Sequence, residues 1–230
     1  MNSREVILAQ VRKSLKQKPS DALTRTERLD TARARLDKHP RGIVPELDRK
    51  NRRSSMAIFC EKALASQATL KKVKSYSKVG AVIIEYLRQY NIPVRMRMGN
   101  DRRLGKLSWG KYPTPEILTG ASDGEDLVCV SHAMGGVSET GTLYLTSGPD
   151  NPTTLNFLPE THIVVINKKD IRKSYEAMWK SMRRKFGKGN MPRTLNMITG
   201  PSRSADIEQT LILGAHGPLR LHIIVVDEGG

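Results

Sequence analysis

The rhythm of apolar and polar positions changes along the chain. Residues 3–17 place Ile7, Val11 and Leu15 on one face of a short helix, with Ser3 available as its cap. Residues 19–53 lose that order. Charge dominates there, Pro40, Gly42 and Pro45 break the end of the stretch, and only 24–37 keeps a partly helical pattern. From Ser54 the pattern is that of a packed domain. MAIFCEKALA reads as a helix and TLKKV as a strand. In KVGAVIIEYLRQY, Val79, Val82, Ile83, Tyr86, Leu87 and Tyr90 recur at helical spacing and make a broad apolar face. IPVRMRM is the next strand, and the Gly- and Pro-rich segment 99–125 reads as a long loop or short helices.

The second half supplies the strands LVCV, TLYLT, HIVVI, LNMIT and LHIIVV. Several are continuous apolar runs, the pattern of strands buried on both faces. Between HIVVI and LNMIT, Ile171, Tyr175, Met178, Trp179 and Met182 repeat at helical spacing behind Asp170 as a cap. After Gly200-Pro201 ends the LNMIT strand, the segment from Ser204 resumes as a helix with Asp206 and Glu208 in its first turn. Strands alternating with helices predict an α/β fold, a mainly parallel sheet layered with helices. The expected organisation is a basic, partly helical N-terminal arm over 1–53 and an α/β domain over 54–230.

Composition sets limits on function. A chain of 230 residues with 38% hydrophobic content suits one large domain, or one domain with an N-terminal attachment. It has no run of about 18 apolar residues, so no membrane span is expected. MNSREVILAQVRKSLK has neither an unbroken apolar stretch nor a small-residue cleavage site. It does not read as a secretory signal, and a cytoplasmic location is the default. Cys60 and Cys129 give no disulfide framework and no metal-ligand spacing, and Cys129 within LVCV reads as a core thiol. No histidine falls in a metal-ligand pattern, so neither a metal nor another cofactor is expected.

The formal charge of +16 invites a nucleic-acid reading, but its distribution weakens it. Residues 1–111 carry a net +17 and residues 112–230 a net −1, with +8 concentrated in 168–193. The stretches with the most unusual local sequence, 130–160 and 197–218, are not basic. This polarity suits an acidic partner surface or loose polyanion contact, not a basic active-site groove. Aromatic residues are 5% and none interleaves with the basic runs, so nucleic-acid binding by base stacking is poorly supported.

Candidate chemistry gathers in glycine-bearing turns. In Gly135–Thr142, glycines let backbone N–H groups approach a ligand, and Ser138, Glu139, Thr140 and Thr142 sit beside them. Gly136 and Gly141 have the spacing of a phosphate-binding Walker loop, but Thr142 stands where Lys is required and a strand follows instead of a helix. The alternative is a tight turn feeding a strand. The second candidate is Gly200-Pro201-Ser202-Arg203-Ser204, where helix-start N–H groups and Arg203 suit a carboxylate or phosphate. Its alternative is a self-satisfied cap, with Ser204 as N-cap and Arg203 paired to Asp206 or Glu139. The third is His216 in the turn Gly214–Pro218, a general base or simply a polar turn residue.

Taken together, in this order and spacing, SETGTLYLTSG, LPETHIVVI and ITGPSRSADIEQTLILGAHGPLRLHIIVVD resemble the LutC/YkgG lactate-utilisation family, the LUD domain. In that family the last block commonly reads GPSRTADIE followed by a GVHGP turn; here Ser204 stands for Thr and Ala215 for Val. The likeness is strong over 127–227, rests on pattern over 54–126, and offers no motif in 1–53. The resemblance implies the NagB/RpiA/CoA transferase-like fold, shared by glucosamine-6-phosphate deaminase, ribose-5-phosphate isomerase and coenzyme A transferases. It also implies a role in using L-lactate alongside two partner subunits that carry iron–sulfur clusters. It favours one pocket for a small anionic ligand, drawn from Ser138, Glu139, Thr140, Gly141, Thr142, Gly200, Pro201, Ser202, Arg203, Ser204, Asp206 and His216. The two loops are then expected to face each other at the carboxyl ends of the sheet strands.

Oxidising lactate to pyruvate moves two electrons, and some centre must accept them. Two distant cysteines cannot supply the four thiolates of a cluster, and no GxGxxG follows a strand. The expected role is therefore a component of an L-lactate utilisation system that is not itself the redox centre. Two other classes stay open. One is an independent enzyme on a small carboxylate or phosphorylated substrate, with Glu139 as base or nucleophile and Arg203 as anion clamp. The other is a polyanion-binding protein that uses the basic N-terminal half.

Overall fold

The computed structural model describes residues 3–16, 25–38, 53–187, 189–205 and 211–228. The chain divides into two units, Met1–Pro45 and Glu46–Gly230. The first holds the helices α1 (Ser3–Lys16) and α2 (Arg25–Lys38). Ile7, Val11 and Leu15 of α1 are 60%, 49% and 78% exposed.

The second unit runs α3 (Ser55–Ala65), β1 (Thr69–Val73), α4 (Val79–Gln89), β2 (Arg95–Met98), β3 (Glu116–Thr119), β4 (Val128–His132), β5 (Gly135–Val137), β6 (Thr142–Thr146), β7 (Thr161–Asn167), β8 (Ile171–Arg172), α5 (Tyr175–Phe186), β9 (Leu195–Ile198), β10 (Arg203–Ala205), β11 (Leu211–Leu213) and β12 (Arg220–Val226). A six-stranded sheet in the order β1-β12-β7-β4-β2-β3 is its centre, and every pairing in it is parallel. The chain is thus α/β with a mainly parallel sheet layered with helices.

Alternation along the central strands decides the layers. Ile163, Val165, Ile224 and Val226 turn to one face and pack with Val79, Ile83, Tyr86 and Leu87 of α4. Val164, Ile166, Ile223 and Val225 turn to the other face, against Phe59, Cys60 and Ala63 of α3 and Leu143 and Leu145 of β6. Tyr144, between those two leucines, points the opposite way and joins Val137, Met178 and Met182 under α5. Each such fully buried side chain contributes roughly 1.5–3 kcal/mol relative to exposure, so the continuous apolar runs in β7 and β12 are the price of a strand covered twice.

Several sequence expectations change. TLYLT and LNMI do not enter the parallel sheet. They form a second sheet, β8-β5-β6-β9, in which β6 pairs antiparallel with both β5 and β9. Segment 99–125 contains β3, paired with β2 at the sheet edge. Asp170 does not cap α5: it closes a 3-10 turn, Ile171 and Arg172 form β8, and Ser174 is the N-cap. No helix starts at Ser204. Residues 203–205 are extended because they pair with 211–213, Ser204 opposite Ile212, and because Gly214 N–H donates to Ser202 O. Asp206 and Glu208 lie outside the described residues. Among the described residues, no helix is long and apolar enough to cross a membrane.

Candidate functional site

The loop that leaves β9 and the turn that enters β12 enclose a cavity of about 250 Å³. Gly200, Pro201, Ser202 and Arg203 form one wall, and His216, Gly217 and Pro218 face them. Two hydrogen bonds hold the walls together, Ser202 N–H to Pro218 O at 2.9 Å and Gly214 N–H to Ser202 O at 3.0 Å. Gly200 makes the bend possible. Its φ is +73°, and a Cβ there would lie 2.1 Å from the Ser66 carbonyl oxygen at the end of α3. Arg203 and His216 are exposed at the rim, and Arg203 makes no ion pair with any described acid.

The floor is buried and polar. Asn156 and His162 border the cavity and are 1% and 0% exposed. Ser131 connects them from β4: its hydroxyl donates to Asn156 Oδ1 at 3.4 Å and lies 3.0 Å from His162 Nε2. A serine hydroxyl has one proton, so with that proton on Asn156 the network assigns the Nε2 proton to His162. Burial pushes the His162 pKa down to about 3, so the ring is neutral and its Nδ1 is an acceptor without a proton. Both His162 Nδ1 and Asn156 Nδ2 are buried with no hydrogen-bond partner among the described residues. These two atoms have almost no accessible surface and lie behind the cavity lining.

The Ser138–Thr142 turn lies next to this wall without lining it. Thr142 Oγ1 and Thr199 Oγ1 are 2.6 Å apart, one residue from Gly200. The polar groups of the turn are engaged elsewhere. Glu139 Oε1 accepts the Tyr175 N–H at 3.0 Å, which caps the start of α5 together with Ser174. The Ser138 hydroxyl donates to Lys173 O at 3.0 Å, and Thr140 and Thr142 share contacts with the Tyr175 hydroxyl at 3.1 and 2.9 Å. Gly141, at φ +72°, sits against the backbone of Lys62 and Ala63 in α3. Ser138, Glu139, Thr140, Gly141 and Thr142 are therefore a structural junction. They are absent from the lining of the cavity.

The cavity also departs from the expected end of the sheet. His162 is the second residue of β7 and Leu221 the second of β12, so it lies at the amino ends of these parallel strands. The loop after Gly200 leaves the second sheet, which is why the carboxyl-end rule for parallel sheets does not place it. The carboxyl end of the parallel sheet holds two separate polar pairings instead. The Tyr76 hydroxyl lies 2.6 Å from His132 Nε2, and His132 Nδ1 lies 2.8 Å from Ala133 O. Arg103 donates to both carboxylate oxygens of Asp101, at 3.0 and 2.6 Å.

Of the residues named from the sequence, the structure gathers Gly200, Pro201, Ser202, Arg203 and His216 around the cavity. Ser204 is in β10 and not in the lining, and Asp206 is not described. The sequence reading missed Asn156, His162 and Ser131 as one unit. Ser131 and His162 sit inside the apolar strands β4 and β7, Asn156 precedes β7, and it is the Ser131 hydroxyl that links the three. The weak signal was a histidine opening the otherwise aliphatic run HIVVI.

A profile of the LUD domain family matches residues 45–226. Lactate utilization protein C from Geobacillus sp. (strain WCH70) is 40% identical over 93 residues, covering 40% of this chain and 39% of that protein. Lactate utilization protein C from Shouchella clausii is 37% identical over 92 residues, 40% of each. The aligned region thus spans about two-fifths of the length of these curated relatives. The crystal structure of a DUF162 family protein from Deinococcus radiodurans shares the fold, with a TM-score of 0.53 and 22% identity over 75% of this chain and 96% of that one. With the family profile covering the whole layered unit from before α3 to the end of β12, the chain belongs to the LUD domain family.

Proposed function

We propose that this chain is a component of an L-lactate utilisation system, acting in the conversion of lactate to pyruvate with iron–sulfur partner subunits and not as the redox centre itself. The observation that carries this reading is the alignment of its α/β domain with proteins named Lactate utilization protein C. The chemistry of the chain supports a non-redox role. Lactate oxidation needs an acceptor for two electrons, and Cys60 and Cys129 are both buried and too few to hold a cluster. Burial pushes the Cys129 thiol up to about 12, far from the thiolate a metal would need.

The cavity between Gly200–Arg203 and His216–Pro218 serves this system as a site for a small anion, with Arg203 as its cation. Docking to the partner uses the basic surfaces. Lys180, Arg183, Arg184 and Lys185 are exposed on α5, and the basic arm over residues 1–53 adds to them. The arm is a separate attachment in this reading. Removing residues 1–50 is expected to leave a cooperatively unfolding α/β domain.

The test is genetic and biochemical. A strain lacking the gene should lose growth on L-lactate and keep growth on pyruvate. The tagged chain should co-elute with iron–sulfur subunits at low salt and separate at high salt, because exposed charges are screened beyond roughly 8 Å at physiological ionic strength. Normal growth on lactate would overturn the role. Lactate-dependent dye reduction by the purified chain alone, free of flavin, would overturn the non-redox assignment. A complex that resists salt would show that apolar surface makes the contact.

A further inference from the structure

We infer that the mouth of the cavity and the outer edge of β9 form a docking groove for an extended acidic segment of a partner protein. The segment adds to β9 as a strand, places one apolar side chain in the cavity and sets a carboxylate on Arg203. This deepens the reading of the cavity as an anion site and rests on it: the anion is a carboxylate carried by a protein chain.

The open edge follows from hydrogen-bond directions in the small sheet. β9 is an end strand of β8-β5-β6-β9, and among the described residues only β6 pairs with it. Tyr144 O accepts the Met134 N–H, so Tyr144 bonds toward β5, and its neighbours Leu143 and Leu145 bond toward β9. Their partners Ile198 and Asn196 therefore direct their backbone groups at β6. Leu195 and Met197 alternate with these and turn their N–H and C=O outward, where they meet no backbone partner among the described residues. Met197 is 51% exposed, so the edge is open at this residue. Such a row of unpaired groups is a template for another strand.

Side chains at the mouth agree. Phe157 and Met197 line the cavity, and Phe157 is 42% exposed. Leu213 is 44% exposed and stands opposite Arg203 in the β10–β11 pair, so both side chains lie on one face of that hairpin. Exposed apolar side chains around a concavity mark a contact surface. Deeper in, Ile198, Pro201, Pro218 and Leu221 give the cavity of about 250 Å³ apolar sides for one anchoring side chain.

Charge selects the occupant. Arg193, before β9, and Arg203, after it, are exposed, and neither makes an ion pair with a described acid. A second copy of this chain, paired antiparallel about a two-fold axis, sets Arg193 of one copy beside the Gly200–Arg203 loop of the other, and like charges oppose that pairing. An acidic segment meets both cations.

The experiment is fluorescence anisotropy on the full chain with the labelled heptapeptide TDVLVDT, whose two aspartates flank the leucine on one face of a strand. Its counterparts are TKVLVKT, TDVGVDT, and TDVLVDT with N-methyl groups on the leucine amide and on one adjoining valine amide. TDVLVDT should bind, and each counterpart should bind about tenfold more weakly or worse. Arg203→Glu should weaken TDVLVDT and strengthen TKVLVKT. Met197→Pro removes an outward N–H without touching the bonds to β6, and should weaken TDVLVDT, with circular dichroism as the check on folding. The N-methylated peptide puts the same question to the unaltered chain if that variant does not fold. Equal binding of TDVLVDT and TKVLVKT, or of the N-methylated peptide, would overturn the groove. So would a dimer in sedimentation that Met197→Pro dissociates, since a second copy is then the occupant. Acetate separates this inference from the reading beneath it. Arg203-dependent acetate binding with no peptide binding at millimolar concentration would keep the anion site and remove the groove, and no binding of either would remove both.

Discussion

At the residue scale, Gly200 shows how one position joins the fold to the site. Its φ of +73° is the left-handed region that a Cβ disfavours by about 1–2 kcal/mol. A Cβ would also meet the Ser66 carbonyl oxygen at 2.1 Å, a contact with backbone that cannot swing away. Gly200→Ala is expected to lower stability by about 2 kcal/mol or more and to displace the cavity wall. Gly189 is the control. Its φ is +78°, but nothing lies within 4 Å of its added Cβ, so Gly189→Ala carries the backbone penalty alone. Urea denaturation of the two variants separates clash from conformation. Equal midpoints would show that α3 yields at Ser66 and that the wall is not fixed there.

At the element scale, α5 depends on a residue from another strand connection. Ser174 Oγ accepts the Ala177 N–H at 3.4 Å, and Glu139 Oε1 accepts the Tyr175 N–H at 3.0 Å. A carboxylate there also faces the positive end of the helix dipole. Glu139→Ala is expected to cost about 1 kcal/mol and Glu139→Gln about half as much, read as midpoint shifts, with carboxylate binding in the cavity unchanged. Loss of binding with intact stability would return Glu139 to the site. This junction also shows what the sequence made legible. The spacing of Val79, Ile83, Tyr86 and Leu87 marked the buried face of α4, and the runs HIVVI and LHIIVV marked doubly covered strands. The partner of a strand was not legible. Leu143 and Leu145 alternate with Tyr144 in a small antiparallel sheet, and the same alternation fits many neighbours. The Arg203 loop and His216 were legible as polar residues in glycine turns. Asn156 and Ser131 were not, because their use arises from contacts 25 residues apart.

At the scale of the whole molecule, the parallel sheet stores a response to acid. His132 in β4, His162 in β7 and His222 in β12 are all buried. Burial lowers each pKa from the ordinary 6.5, to about 4 for His132, about 3 for His162 and about 4 for His222. The charge of Arg103 adds to the effect at His132 and that of Lys71 at His222. The sign follows from proton counts. Between about pH 6.5 and 4 the unfolded chain binds protons at these rings and the folded chain does not, so unfolding takes protons up and stability falls as the pH drops. The stabilisation is complete above 6.5 and is lost through that window, with a slope that approaches three protons. Asp101 extends the loss to lower pH: burial opposes its charge, but the hydrogen bonds and charge of Arg103 outweigh this and hold its carboxyl below the usual range. The formal charge of +16 also strains the folded chain in acid, but repulsion between exposed charges is screened by salt, whereas desolvation of a buried ring is not. Thermal unfolding followed from pH 8 to pH 4 at high salt should therefore keep a flat plateau above about 6.5 and a steep fall below it. A midpoint that stays level down to pH 4 at high salt would show that these imidazoles reach water in the folded state, and the neutral floor assigned to His162 would fall with that result.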